Sequence, residues 1–230
     1  MTVDTELILF GVETGIEKEY KRDVNRAVRN HTDNWRIYMP RIMAKCLLSL
    51  VFVASLALAT WEAARAWSYD GKWLSNSVRY RFHYTVPSSM FAPTHAGANA
   101  WTNVTPSSWA WIYDTTNGYF VKYGYVDGLG PALAVTGKII TGGNITWMEI
   151  TIDNAELWHT GSGIPPSNRY DLQSTMTHEF GHALGLLHTG YPYCPNNTSD
   201  ATMCPTQGLG AYHYRTLEGD DRNGVNSLYP

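Results

Sequence analysis

The 230-residue chain is poor in charge, poor in cysteine and without a long apolar stretch. Charged residues make up 16% of it, and 20 acids face 17 bases, so there is no broad basic surface of the kind that holds nucleic acid. Three cysteines are too few to build a disulfide-framed miniprotein. The uncharged apolar run at 46–59 falls short of the roughly 20 residues that a membrane-spanning helix needs. There is no internal repeat and no low-complexity tract. What the chain does have is 44% hydrophobic residues, with 9 Trp, 15 Tyr and 6 Phe. That composition excludes disorder and fits a secreted, β-containing domain.

The N-terminal third reads differently from the rest. Residues 1–38 are polar and mixed in charge, and are expected to be an extension outside the working domain. Residues 39–66 combine a short basic stretch through Arg41 and Lys45, the apolar run 46–59, and Ala64-Arg65-Ala66. A basic n-region, an apolar h-region and an A-x-A site together spell a secretory signal peptide, cleaved after Ala66. A membrane anchor is the competing reading, and the shortness of the run argues against it. The mature chain is then 67–230, expected to be a single compact monomeric domain without a membrane span. Its two cysteines, Cys194 and Cys204, most simply form one disulfide in an oxidising compartment; two free thiols are the alternative.

Within 67–230, residues 78–86 alternate apolar and polar and read as a strand stopped by Pro87. Residues 88–104 read as a helix, 109–114 and 119–125 as strands joined by a turn at 115–118, and 132–135 and 145–152 as two more strands. The strongest helical signal is 171–187, ending near Gly185; 216–229 reads as a final helix with acids in its first turn.

Chemistry concentrates in one stretch. Residues 178–188 carry His178, Glu179, His182, Gly185 and His188 in the register H-E-x-x-H-x-x-G-x-x-H. Residues four apart share a helix face, so His178 and His182 can offer imidazoles to one ion. Gly185 allows a sharp turn, which returns His188 as a third nitrogen ligand. Three neutral imidazoles on tetrahedral zinc leave a fourth position for water, whose pKa zinc lowers towards about 7. Glu179, one residue on, sits beside the ion rather than on it, as a general base would. A lone His-x-x-x-His pair is usually a polar helix face. The added Glu179, Gly185 and His188 argue against that here. His83, His95, His159 and His213 are isolated and read as structural or solvent-facing.

These residues resemble the metzincin peptidases, and within them the matrixins, the group of the matrix metalloproteinase catalytic domains, most of all a bacterial secreted member. Ala201-Thr202-Met203-Cys204-Pro205 is similar to the Met-turn, which sets Met203 beneath the metal. Leu217, Asp220, Asp221 and Leu228 are similar to the family's closing helix. The resemblance implies an α+β zincin fold: a twisted, mostly parallel sheet with an antiparallel edge strand, an active-site helix, the Met-turn and a C-terminal helix. It implies a secreted zinc endopeptidase with His178, His182 and His188 as ligands and Glu179 as base.

It also implies that Ala132, Leu133 and Ala134 form the strand that pairs with an extended peptide substrate, an ordinary core strand being the alternative. Pro205, Thr206 and Gln207 would wall the pocket for the residue after the scissile bond. Asp127, Asp153 and Glu156 match the family's calcium-binding stretches and could hold Ca2+. Val135 and Thr151 stand where the family's structural zinc has histidines, so that second zinc is not expected. No tyrosine is assigned a catalytic role. A non-catalytic secreted binding module that keeps the zinc on the same fold is the rival function.

Overall fold

A computed structural model describes residues 67–102, 104–190, 194 and 201–230. The chain divides into two units, Met1–Ala64 and Arg65–Pro230, and all described residues belong to the second. The extension at 1–38 and the signal-peptide stretch 39–66 lie outside the described residues, as do Tyr191 and Tyr193. Among the described residues no helix is long and apolar enough to cross a membrane.

Five strands form one sheet in the order β2-β1-β3-β5-β4. They are β1 Ser77–Phe82, β2 Ala110–Tyr113, β3 Tyr119–Gly124, β4 Ala134–Thr141 and β5 Asn144–Asp153. β1 pairs in parallel with β2 and β3, and β3 in parallel with β5. β4 alone is antiparallel, joined to β5 by a hairpin at Gly142-Gly143, where both residues have positive φ. A two-stranded parallel pair, β6 Trp158–His159 and β7 Tyr170–Asp171, leads into the central helix. The helices are α1 Phe91–Trp101, α2 Leu172–Leu184 and α3 Gly219–Leu228. This is the mixed-sheet α+β arrangement expected of the metzincin fold.

Several boundaries move. The first strand stops at Phe82, short of Val86. The segment at 88–104 divides into a single 3-10 turn, Ser88–Met90, followed by α1, which ends at Trp101. The turn at 115–118 does not join neighbours. Tyr80 of β1 is in register with both Tyr113 and Tyr119, so β2 and β3 flank successive parts of β1 on opposite sides and their connection crosses it. The edge strand begins at Ala134 and runs to Thr141, so Ala132 and Leu133 precede it. The final helix begins at Gly219 because Glu218 and Asp221 close a capping box there, leaving 216–218 outside.

The core lies between the sheet and the helices. Tyr80, Met148, Ile150 and Ile152 from the strands meet Trp101, Leu172, Met176, Phe180 and Leu184, all essentially without solvent contact. The alternation of β5 explains its share: Met148, Ile150 and Ile152 point inward while Trp147 and Glu149 face outward. The last carbonyls of α2, which lack helical partners, are taken up from elsewhere in the chain. Trp73 Nε1 donates to Ala183 O at 2.8 Å and Tyr229 Oη to Leu184 O at 2.6 Å. The C-terminus of the chain thereby fixes the end of the helix that carries the histidines.

Candidate active site

The site is built on α2. Asp171 caps its start, accepting from Ser174 N at 3.0 Å. Arg215 grips the same carboxylate through Nε at 2.8 Å and Nη2 at 2.5 Å, and also donates to the carbonyls of Gly161, Ser162 and Gly163. The cap is therefore locked to the loop before the helix and to the segment after Met203. At the far end, Gly185 has φ +121°, and a Cβ there would run into Gly71 O. The chain turns at this point, as the motif requires, and leaves the helix towards His188.

The turn brings three rings together. One ligand nitrogen from each of His178, His182 and His188 lies within 4.8 Å of the others, and among the described residues this is the only such cluster of three or more His, Cys, Asp or Glu. Two of the rings are oriented by backbone. His178 Nδ1 donates to Thr202 O at 2.7 Å, and His182 Nδ1 to Leu186 O at 2.8 Å. A carbonyl can only accept, so each Nδ1 carries the proton and each Nε2 presents a lone pair. Nε2 of His178 stands 3.2 Å from Nε2 of His188. Burial keeps the rings neutral: it lowers the pKa of His178 and His188, and takes His182 down to about 3 with help from the neighbouring histidines. Three converging neutral imidazoles are the donor set that zinc takes.

Glu179 is 5% exposed. Desolvation lifts its carboxyl to about 7, against the opposing pull of a Thr136 hydrogen bond and of electrostatic attraction from the His188 side and from Lys138. Thr136 Oγ1 lies 2.5 Å from Glu179 Oε2 and 3.1 Å from its carbonyl oxygen. Lys138, also on β4, pairs with Asp70 at 2.7 Å.

Met203 lies under the cluster. It is buried, and a Cβ at Gly181 would collide with its sulfur, so the helix between His178 and His182 rests on this side chain. Asp221, fully buried, accepts from Thr202 N, Met203 N and Glu218 N, which ties the Met203 turn to α3. Cys194 and Cys204 form a disulfide, joining the same turn to the chain beyond His188.

A cavity of about 590 Å3 runs past the histidines and Glu179. Ala132, Leu133 and Ala134 line one side, and Pro205, Thr206 and Gln207 another. Gln207 is held by Thr175 Oγ1, which donates to its Oε1 at 2.8 Å. All six cleft residues named from sequence thus border one space with the three histidines.

Residues 116–230, half of the chain, match the family described as matrixin, peptidase M10. The chain belongs to the matrixin family. It is 27% identical over 170 residues to matrix metalloproteinase-20 of Homo sapiens, which covers 70% of this chain and 32% of that protein. It is 28% identical over 172 residues to matrix metalloproteinase-19 of Mus musculus, covering 69% and 29%. Against stromelysin-3 of Xenopus laevis it is 28% identical over 176 residues, covering 69% and 32%. The chain spans about a third of the length of these relatives.

Asp127, Asp153 and Glu156, the acids expected to hold calcium, lie close enough for the charges of the first two to act on the third. Asp153 is fully buried and accepts from the backbone N–H of Asp127, Gly128 and Ala155. Burial opposes its ionisation, but these bonds together hold its pKa below the ordinary carboxylate value. Asp127 accepts from Ala132 N, and Glu156 is pushed up by burial and by the charges of the other two. Asp127 and Asp153 thus organise the loop before β4. Val135 and Thr151, the positions of the family's second zinc, are register partners across β4 and β5.

Sequence reasoning missed the roles of Thr136, Lys138 and Arg215. Each acts through a contact between residues more than 40 apart, and no local spacing signals such a partner.

Proposed function

We propose that this chain is a secreted zinc endopeptidase whose catalytic domain is 67–230. The observation that carries the reading is the convergence of three neutral imidazole nitrogens beside a buried carboxyl in a cleft bounded by an edge strand. His178, His182 and His188 would hold the metal. When bound, zinc supplies a Lewis acid that polarises the scissile carbonyl and acidifies the attacking water. Glu179 receives the proton of that water at its carboxylate and delivers it to the leaving amine nitrogen.

Among the described residues β4 pairs with β5 on one side only, which leaves its other edge for main-chain bonding to an extended peptide. Such a strand, laid past Ala134, brings its carbonyl to the histidines and the following side chain to the wall at Pro205, Thr206 and Gln207. Secretion is supported by the basic and apolar pattern of 39–66 and by the disulfide, which belongs to oxidising compartments. The domain works as a monomer, since one copy contains every group invoked. Metal analysis and hydrolysis of casein or gelatin, each with and without a chelator, test the proposal. One zinc per chain with chelator-sensitive cleavage is expected. Zinc binding without cleavage would leave a binding module, and absence of zinc would overturn the reading.

A further inference from the structure

β4 carries an anomaly on its inner face. Strand alternation puts Ala134, Thr136 and Lys138 on one side and Val135, Gly137 and Ile139 on the other. The first set faces α2: Thr136 reaches Glu179, and Lys138 lies close enough to act electrostatically on Glu179 and His182. Where a strand packs on a helix, inward positions are ordinarily apolar. Two consecutive polar ones here need a reason.

Lys138 has a partner, since its ammonium, on a side chain only 9% exposed, is matched by Asp70 at 2.7 Å. The Thr136 hydroxyl has a single proton to give, and its nearer acceptor is Glu179 Oε2. Oε1 accepts no hydrogen bond from any described residue, and Glu179 lines the cleft.

Resting on the proposed peptidase reading, we propose that Thr136 is a positioning residue for Glu179. Its hydroxyl donates to Oε2, fixes the carboxylate rotamer, and leaves Oε1 turned to the cleft as the atom that accepts the proton from water. A neutral donor suits this task. It holds the carboxylate by one directed bond and adds no charge of its own. The edge strand therefore serves the reaction twice, through its free main-chain edge towards the peptide and through this side chain towards the base.

The test compares the zinc-loaded wild-type protein with Thr136→Val, Thr136→Ala and Thr136→Ser on a fluorogenic peptide, and determines crystal structures of the metal-free proteins. Loss of a hydrogen bond to a charged group corresponds to a fall of roughly 10- to 100-fold in kcat. That fall is expected for Thr136→Val and Thr136→Ala, with KM within about twofold and zinc content and Tm unchanged. Thr136→Ser should restore kcat to within about threefold. The structures should show Glu179 Oε2 on the 136 hydroxyl in wild type and Thr136→Ser, and a displaced carboxylate in Thr136→Val. Full kcat in folded Thr136→Val, failure of serine to rescue, or an unmoved carboxylate would each overturn the proposal. If the wild type shows no zinc-dependent hydrolysis, the peptidase reading fails by itself, and the metal-free structures still decide whether the hydroxyl holds the carboxylate.

Discussion

Replacing Arg215 with alanine strands a buried carboxylate. Asp171 has no solvent contact, and the Arg215 side chain is only 14% exposed. The guanidinium makes two bonds to that carboxylate and three more to the carbonyls of 161–163. Removing one partner of a buried pair costs about 3–5 kcal/mol, because the remaining charge keeps its desolvation penalty and loses its compensation. At about 2–4 °C per kcal/mol for a domain of this size, Tm should fall by roughly 6–20 °C. Thermal or urea unfolding measures it directly. A double-mutant cycle with Asp171→Asn isolates the pairwise term, which should be about 2 kcal/mol or more. The start of α2 and the wall near Gln207 loosen together, because Gln207 Nε2 donates to Asp171 O. A drop below about 2 °C for Arg215→Ala would refute the reasoning, since an exposed and screened pair behaves that way.

Other expectations are as direct. Gly185→Ala combines a positive φ with a collision against Gly71 O; zinc affinity should fall at least tenfold by competition with a fluorescent chelator, and an unchanged affinity would contradict the role given to the turn. Cys194→Ser with Cys204→Ser opens a short loop that holds the Met203 turn, and the urea midpoint should drop by an amount equivalent to about 3 kcal/mol. For Asp221, burial raises the carboxyl to about 6, well above its unfolded value near 3.8. Its folded-state advantage is thus complete below about pH 4 and lost as pH rises through 6. Between those limits the wild type should lose stability relative to Asp221→Asn, and parallel pH profiles for the two would contradict this.

The sequence revealed the groups whose spacing is local. The helix from Leu172 to Leu184 and its end at Gly185 follow from the 3.6-residue period and from a residue that tolerates positive φ. The clustering of His178, His182 and His188 follows from the same two facts. The disulfide was legible because residues 67–230 contain a single pair of cysteines. What stayed hidden depends on distant partners. That Tyr80 neighbours both Tyr113 and Tyr119 is a matter of sheet order, which a turn-like tetrapeptide misrepresents. Asp153 accepts from three backbone N–H groups, two of them more than 20 residues away, and no local spacing announces those partners. Thr136 looks like a routine strand residue until the alternation of β4 turns it towards Glu179.

The most direct test of the central claim is peptide hydrolysis by Glu179→Ala at a zinc content equal to that of the wild type. The account predicts a folded, fully zinc-loaded protein whose kcat is lower by roughly 10²- to 10⁴-fold, the range that a positioned general base contributes. Near-normal turnover in that protein would contradict it.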